Sequence, residues 1–223
     1  MFARHDLIWL SAQGWQRCRD DVGNKPGPAG QAALARWQQA DWPAIVRRAD
    51  VDMPDGEVCL GIALPPDPVS GDKLRIALRV PVSAVGAVCA PLTVDAVLPS
   101  VPPCWRVALP VLAADIARSD LTFGVYGSLA MQTLTATTYV TAKSDIDLLF
   151  SPITSAQLER GIALLRRHAQ ALPLDGEIRF PSGQAVAWKE WVQASGNGSR
   201  VLVKDARSVH LSTTAALLAT FSE

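Results

Sequence analysis

Apolar positions along this chain follow two arrangements, and the change falls near residue 104. Asp6–Leu10 reads as a short strand, and SAQGWQRCRDD after it has helical spacing with Ser11 as the N-cap. Pro and Gly alternate over Gly23–Gly30, which predicts a turn-rich patch, and QAALARWQQA predicts a helix ending by Pro43. Ala44–Arg48 reads as a strand. Val58–Leu64 and Lys73–Val80 alternate and are joined by PPDPVSGD, so they predict a hairpin. Residues 81–106 carry Pro81, Pro91, Pro99, Pro102 and Pro103 and predict an irregular connection with one short helix. Beyond it, helix and strand patterns take turns: helix Val107–Arg118, strand Leu121–Tyr126, helix Ser128–Thr138, strand Asp145–Phe150 and helix Thr154–Ala171. Glu177–Phe180 and Gln184–Trp188 predict a second hairpin, Arg200–Lys204 a strand, and Ser212–Phe221 a closing helix. The expectation is an α+β (α/β-like) layer fold in two domains, residues 1–104 and 105–223.

The stretch Thr122–Phe150 carries the candidate chemistry. It reads as strand, Gly127-Ser128, helix, then Asp145-Ile146-Asp147 on the next strand. A strand period of two puts Asp145 and Asp147 on one face and Ile146, Leu148 and Phe150 on the other. Two neighbouring carboxylates repel unless they share a cation, and the oxygen-preferring ion that travels with phosphates is Mg²⁺. Gly127 lets backbone approach a phosphate, and the helix that starts there offers N–H groups and a positive dipole end to an anion. Strand, Gly-Ser, helix and Asp-x-Asp in this order resemble the active-site signature of the DNA polymerase β-type nucleotidyltransferases. Seventeen positions separate Ser128 from Asp145, more than is usual in that group, which predicts an extra turn or loop around Tyr139–Lys143.

Composition narrows the partners. A formal net charge of 0 argues against a nucleic-acid groove, which needs a basic excess. No apolar run approaches the roughly 20 residues of a membrane helix, and the opening MFARHDLIWLSAQGW lacks the cleavage pattern of a signal peptide. Cys18, Cys59, Cys89 and Cys104 form no CxxC pair, so reduced thiols in a cytoplasmic chain are expected.

A third carboxylate is offered by LPLDGEIRFPSG. Asp175 and Glu177 share a strand face, and Glu177, deeper in the strand, is the favoured partner for Asp145 and Asp147, as metal ligand or proton acceptor. Candidate phosphate-binding cations are Arg47 and Arg48, adjacent and therefore on opposite strand faces, and Lys204 at the end of VLVKD. For Lys189 in WKEW a helix-surface role is the preferred reading. His5, His168 and His210 are scattered, with no Ser/His/Asp or Cys/His arrangement, and the seven tryptophans read as packing residues.

A narrower resemblance covers nearly the whole chain. RHDLIWL at 4–10, IVRRAD at 45–50, FGVYGSLAMQTLT, SDIDLLF and DGEIRFPSGQAVAWKEW at 175–191 together look like the malonate decarboxylase holo-acyl-carrier-protein synthases, the phosphoribosyl-dephospho-CoA transferases. That resemblance implies transfer of phosphoribosyl-dephospho-CoA from triphosphoribosyl-dephospho-CoA to a serine of the apo acyl carrier subunit of malonate decarboxylase, with release of pyrophosphate. Asp145, Asp147 and Glu177 would then hold Mg²⁺, Gly127 and Ser128 the triphosphate tail, and the N-terminal domain would bind substrate or carrier. Two other readings remain: a nucleotidyltransferase of the same fold using ATP or another nucleoside triphosphate on a small-molecule or protein hydroxyl, and a non-catalytic module binding a carrier or nucleotide.

Overall fold

The computed structural model describes residues 2–20, 27–194 and 199–221. The chain divides into two compact units, Met1–Ala90 and Pro91–Glu223, both mixing helices with a sheet, so the class is α+β. The break falls between Ala90 and Pro91 rather than near residue 104. Val94, Val97, Val101 and Trp105 are buried in the hydrophobic core of the second unit, so the proline-rich stretch belongs to that unit from Pro91 onward. Among the described residues, no helix is long and apolar enough to cross a membrane.

The first unit is built on an antiparallel sheet of β1 (Leu7–Leu10), β2 (Ala44–Val46), β3 (Glu57–Ala63), β4 (Arg75–Pro81) and β5 (Val85–Cys89), in the order β4-β3-β2-β1-β5. Helix α1 (Ala12–Asp20) starts after Ser11, whose hydroxyl accepts from Gly14 N at 3.2 Å, as an N-cap should. Helix α2 (Pro28–Gln39) begins inside the stretch expected to be irregular; proline is tolerated in a first helical turn, where its missing N–H costs nothing. Positions 23–26 of that expected turn lie outside the described residues. Trp37 is buried, donates from Nε1 to Pro43 O at 3.2 Å and meets Trp42 edge-on at 4.9 Å, which anchors the end of α2. Strand β2 stops at Val46, so Arg47 and Arg48 lie past its end. Strand β5 was not expected, because its positions are mostly exposed and show no alternation; it is defined by its pairing with β1.

Between β2 and β3, Asp50 closes an ion-pair network. Arg47 reaches it at 2.5 Å, Arg79 Nε at 2.7 Å, and Arg79 also pairs with Asp52 at 2.5 Å. The Arg47 hydrogen bond, opposed by burial and reinforced by Arg79, holds the Asp50 carboxyl well below the ordinary carboxylate range.

The second unit holds helix α3 (Val94–Val97), helix α4 (Ala108–Ala117), strand β6 (Phe123–Tyr126), helix α5 (Gly127–Thr135), strand β7 (Ile146–Phe150), helix α6 (Ser155–His168) and strand β8 (Leu174–Arg179). There follow β9 (Ala185–Ala187), α7 (Trp188–Gln193), β10 (Arg200–Lys204), β11 (Val209–Thr213) and α8 (Thr214–Leu218). The sheet runs β11-β10-β9-β8-β7-β6, and β7 and β8 are its parallel pair, the other neighbours being antiparallel. A parallel pair needs a crossover, and α6 supplies it, capped by Thr154, whose Oγ1 accepts from Gln157 N at 3.1 Å. Residues 209–213, expected partly as the start of the closing helix, instead form β11 opposite β10, and only 214–218 are helical.

Alternation along these strands sorts the sheet into two faces. Ile146, Leu148, Phe150, Ile178, Val186, Val201 and Val203 enter the core with Leu109, Leu112, Leu129 and Leu165 from the helices. By the same period of two, Asp147, Asp175, Glu177, Ala185, Ala187 and Lys204 project from the opposite face. Gly176 allows β7 and β8 to meet. Its φ is +123°, and a Cβ there would stand 1.9 Å from Leu148 O.

Two measurements test this account. Gly176→Ala should lose more than about 2 kcal/mol, because the clash is with backbone that cannot rotate away; an unchanged urea midpoint would contradict the close approach. Asp50 has a depressed native pKa, so its stabilisation is present above the unfolded value of about 3.8 and is lost as pH falls through the lower native value. Asp50→Asn should therefore lower the urea midpoint at pH 7, with the gap to wild type closing below pH 3.8.

Candidate active site

The site is assembled where β6 turns into α5 beside the start of β7. Tyr126 at the end of β6 pairs with Asp147, and the next residue, Gly127, takes φ +69° to start α5. A Cβ on Gly127 would stand 1.9 Å from Asp147 Oδ2. Glycine is required there twice, once for the sign of φ and once because the Asp147 carboxylate occupies the space a side chain would need. The first turn of α5 thus lies directly beside Asp147, where its N–H groups and dipole favour an anion.

The loop from α5 to β7 is pinned by Gln132, a residue that sequence reasoning missed. Its Oε1 accepts from Tyr139 N and Val140 N, both at 3.0 Å, and its Nε2 donates to Ser100 O at 2.7 Å. Ala136 ends the helix in the left-handed region at φ +52°, and Tyr139 is buried. A turn closed by Thr141 N donating to Ser144 Oγ at 3.0 Å then delivers Asp145. The extra loop expected around Tyr139–Lys143 is therefore present as an ordered connection.

Among the described residues, Asp145, Asp147 and Asp175 each offer a carboxylate oxygen, and these oxygens lie within 4.8 Å of one another. Asp147 and Asp175 are direct neighbours in the parallel ladder; Asp145 is exposed and the other two half-buried. In an octahedral site with bonds of about 2.0–2.1 Å, opposite ligands stand about 4.2 Å apart. Small side-chain rotations would bring the trio into that range, and carboxylate oxygens are the donors a hard divalent cation prefers, so these residues fit Mg²⁺.

Glu177, the sequence favourite for third carboxylate, is elsewhere. It pairs with Leu149, two positions further along the ladder from the Asp147–Asp175 pair. It is 5% exposed and its Oε1 accepts from Lys204 Nζ at 2.9 Å. Ala187 lies opposite Glu177 and Ala185 opposite Lys204 on the intervening β9. These short side chains let the carboxylate and ammonium meet across that strand. A buried carboxylate needs such a partner; the carboxylate gathered with Asp145 and Asp147 within 4.8 Å is that of Asp175.

The remaining candidates fall as follows. Ser128 is the second residue of α5, half-buried beside the cluster's glycine. Lys189, near the start of α7, lies 3.4 Å from Asp175 Oδ1, so it is not merely a helix-surface residue. Arg47 belongs to the first unit, where Asp50 and the Leu60 carbonyl, at 3.0 Å from its Nε, engage it; Arg48, in the same unit, is exposed. His168 pairs with Asp115 at 2.8 Å and His210 with Ser208 at 3.1 Å, both outside the carboxylate cluster.

Comparison with known proteins covers both units. The phosphoribosyl-dephospho-CoA transferase MdcG N-terminal domain matches residues 3–91, and the phosphoribosyl-dephospho-CoA transferase MdcG C-terminal domain matches residues 92–215. The chain is 39% identical over 220 residues to a phosphoribosyl-dephospho-CoA transferase of Xanthomonas axonopodis pv. citri, spanning 97% of each protein. It is 37% identical over 213 residues to one of Bradyrhizobium diazoefficiens, spanning 93% of this chain and 88% of the relative. No solved structure matches.

The Glu177–Lys204 pair has a direct test. Lys204→Met leaves a buried carboxylate without its cation and should cost about 1–3 kcal/mol. Adding Glu177→Gln should recover most of that loss. A Lys204→Met protein as stable as wild type in urea would show that the pair does not hold the strand row together.

Proposed function

The chain belongs to the phosphoribosyl-dephospho-CoA transferase family, and on that premise we propose the reaction it carries out. It moves phosphoribosyl-dephospho-CoA from triphosphoribosyl-dephospho-CoA to a serine hydroxyl of the apo acyl carrier subunit of malonate decarboxylase. The serine oxygen forms a bond to the α-phosphorus of the donor. The bond from that phosphorus to the bridging oxygen breaks, pyrophosphate leaves, and the serine proton passes to a carboxylate of the cluster or to solvent. The observation that carries this reading is the joining of three aspartates to a glycine-started helix N-terminus on one sheet face.

Phosphoryl-type transfer asks a protein mainly for positioning and for neutralisation of charge. Asp145, Asp147 and Asp175 would hold Mg²⁺, which supplies charge neutralisation at the phosphate oxygens and lowers the pKa of a bound hydroxyl. Gly127 and Ser128 offer the donor's terminal phosphates the first turn of α5. Lys204, held by Glu177 and a third exposed, adds a fixed positive charge on the same face. Asp175 takes the place in the metal site first assigned to Glu177, and Glu177 acts by orienting Lys204. Arg47 and Arg48, with the first unit, serve substrate or carrier. A CoA-derived donor and a carrier subunit support a cytoplasmic setting for the reaction.

Mass spectrometry of the apo acyl carrier subunit tests the reaction. Incubated with this protein, Mg²⁺ and triphosphoribosyl-dephospho-CoA, it should gain the mass of phosphoribosyl-dephospho-CoA, and a chelator should prevent the gain. Modification by ATP instead would move the specificity to a nucleoside triphosphate, and no modification by either donor would contradict catalysis. Asp145→Ala and Asp147→Ala should lower turnover by at least about a hundredfold while leaving the protein folded. Asp175→Asn should cost more turnover than Glu177→Gln, and the reverse order would return the third ligand to Glu177.

A further inference from the structure

Two lysines border the carboxylates, and they are held in different ways. Lys204 is tied at 2.9 Å to buried Glu177, which is not one of the aspartate trio. Lys189 faces Asp175, which is part of the trio, and its 3.4 Å separation is longer than the 2.7–2.9 Å of a tight charge-assisted hydrogen bond. About half of the Lys189 side chain is exposed, as is 40% of Asp175, so the pair is weakly held and open to exchange. Its neighbour Trp188 is buried in the core of the second unit, which fixes the backbone from which Lys189 projects, while the ammonium lies 5.9 Å from the Trp188 ring centre. The result is a fixed anchor with a half-exposed, single positive charge against an oxygen that a divalent cation would take.

The geometry points to Lys189 as an exchangeable counter-ion. It neutralises Asp175 before a divalent cation arrives, gives up that carboxylate to the cation, and swings its ammonium to the polyphosphate of the donor that enters with it. This rests on the reading of Asp145, Asp147 and Asp175 as the cation site. A cation of charge two with short bonds to three oxygens outcompetes one ammonium, and the four-carbon lysine stem lets the displaced charge move by several ångströms. The exchange leaves the cluster's three negative charges partly offset with and without substrate, which eases repulsion among the aspartates between turnovers. Lys189 is thus a positioning residue with opposite effects on two ligands: it competes with the metal and attracts the phosphate.

Titration of Mn²⁺ into donor-free protein, followed by titration of tripolyphosphate into the Mn²⁺-saturated protein, separates these effects. Lys189→Met keeps the stem over Trp188 and removes the charge. It should bind Mn²⁺ about two- to fivefold more tightly than wild type, the scale of losing an exposed competing ion pair, and, once loaded with Mn²⁺, should bind tripolyphosphate more weakly. Lys189→Gln, which is shorter and polar, should move both constants in the same directions. Mn²⁺ affinity that is unchanged or weaker in the variants overturns the exchange, and so does tripolyphosphate affinity that is unchanged or tighter. Failure of wild type itself to bind Mn²⁺ would overturn the cation site along with the exchange, and is thereby distinguished from failure of the lysine's role alone.

Discussion

The parallel pairing of β7 with β8 sets Asp147 beside Asp175, and the rest of the site is built to make that juxtaposition tolerable. Two carboxylates side by side repel each other, so the strands need strong reasons to meet in this register. One reason is apolar: Ile146, Leu148, Phe150 and Ile178 enter a common core from the other face. Another is steric, since Gly176 removes the Cβ that would strike the Leu148 carbonyl. Gly127 does the same service for the Asp147 carboxylate, which lies where any other residue's side chain would be. The apolar face holds the register, and the register concentrates charge on the polar face.

That charge is balanced in graded fashion along the sheet. Nearest the strand starts, three aspartates gather with Lys189 at their border. Two pairs further on, Glu177 is buried and meets Lys204 across the alanines of β9. The two carboxylates of β8 therefore take different roles although they are only two residues apart. Asp175 is half-exposed and can exchange partners, whereas Glu177 is enclosed and paired with Lys204. A mobile ion belongs with the former and a permanent ion pair with the latter.

Much of this was legible in the sequence. The order of β6, α5 and β7 follows from the apolar runs around Gly127-Ser128, and the period of two correctly placed Asp147 opposite the core face. The β3–β4 hairpin and α6 with its Thr154 cap were also plain. What escaped was set by pairing between distant segments. β5 and β11 are edge strands with exposed positions, so no alternation marks them. The choice between Asp175 and Glu177 could not be made from periodicity, which puts both on one face. It depended on the parallel register, in which the beginning of β8, not its middle, lies beside Asp147. Gln132 gave no signal because its partners are the Ser100 carbonyl and two backbone amides of a loop whose path the sequence does not show.

The central claim is that a divalent cation is held by the trio and not by the more deeply placed glutamate. Anomalous diffraction from crystals of the wild-type protein soaked in Mn²⁺ tests it most directly. A peak bonded to carboxylate oxygens of Asp145, Asp147 and Asp175, with Glu177 still on Lys204, is the predicted result. A peak coordinated by Glu177, or none at the trio under saturating Mn²⁺, would contradict it.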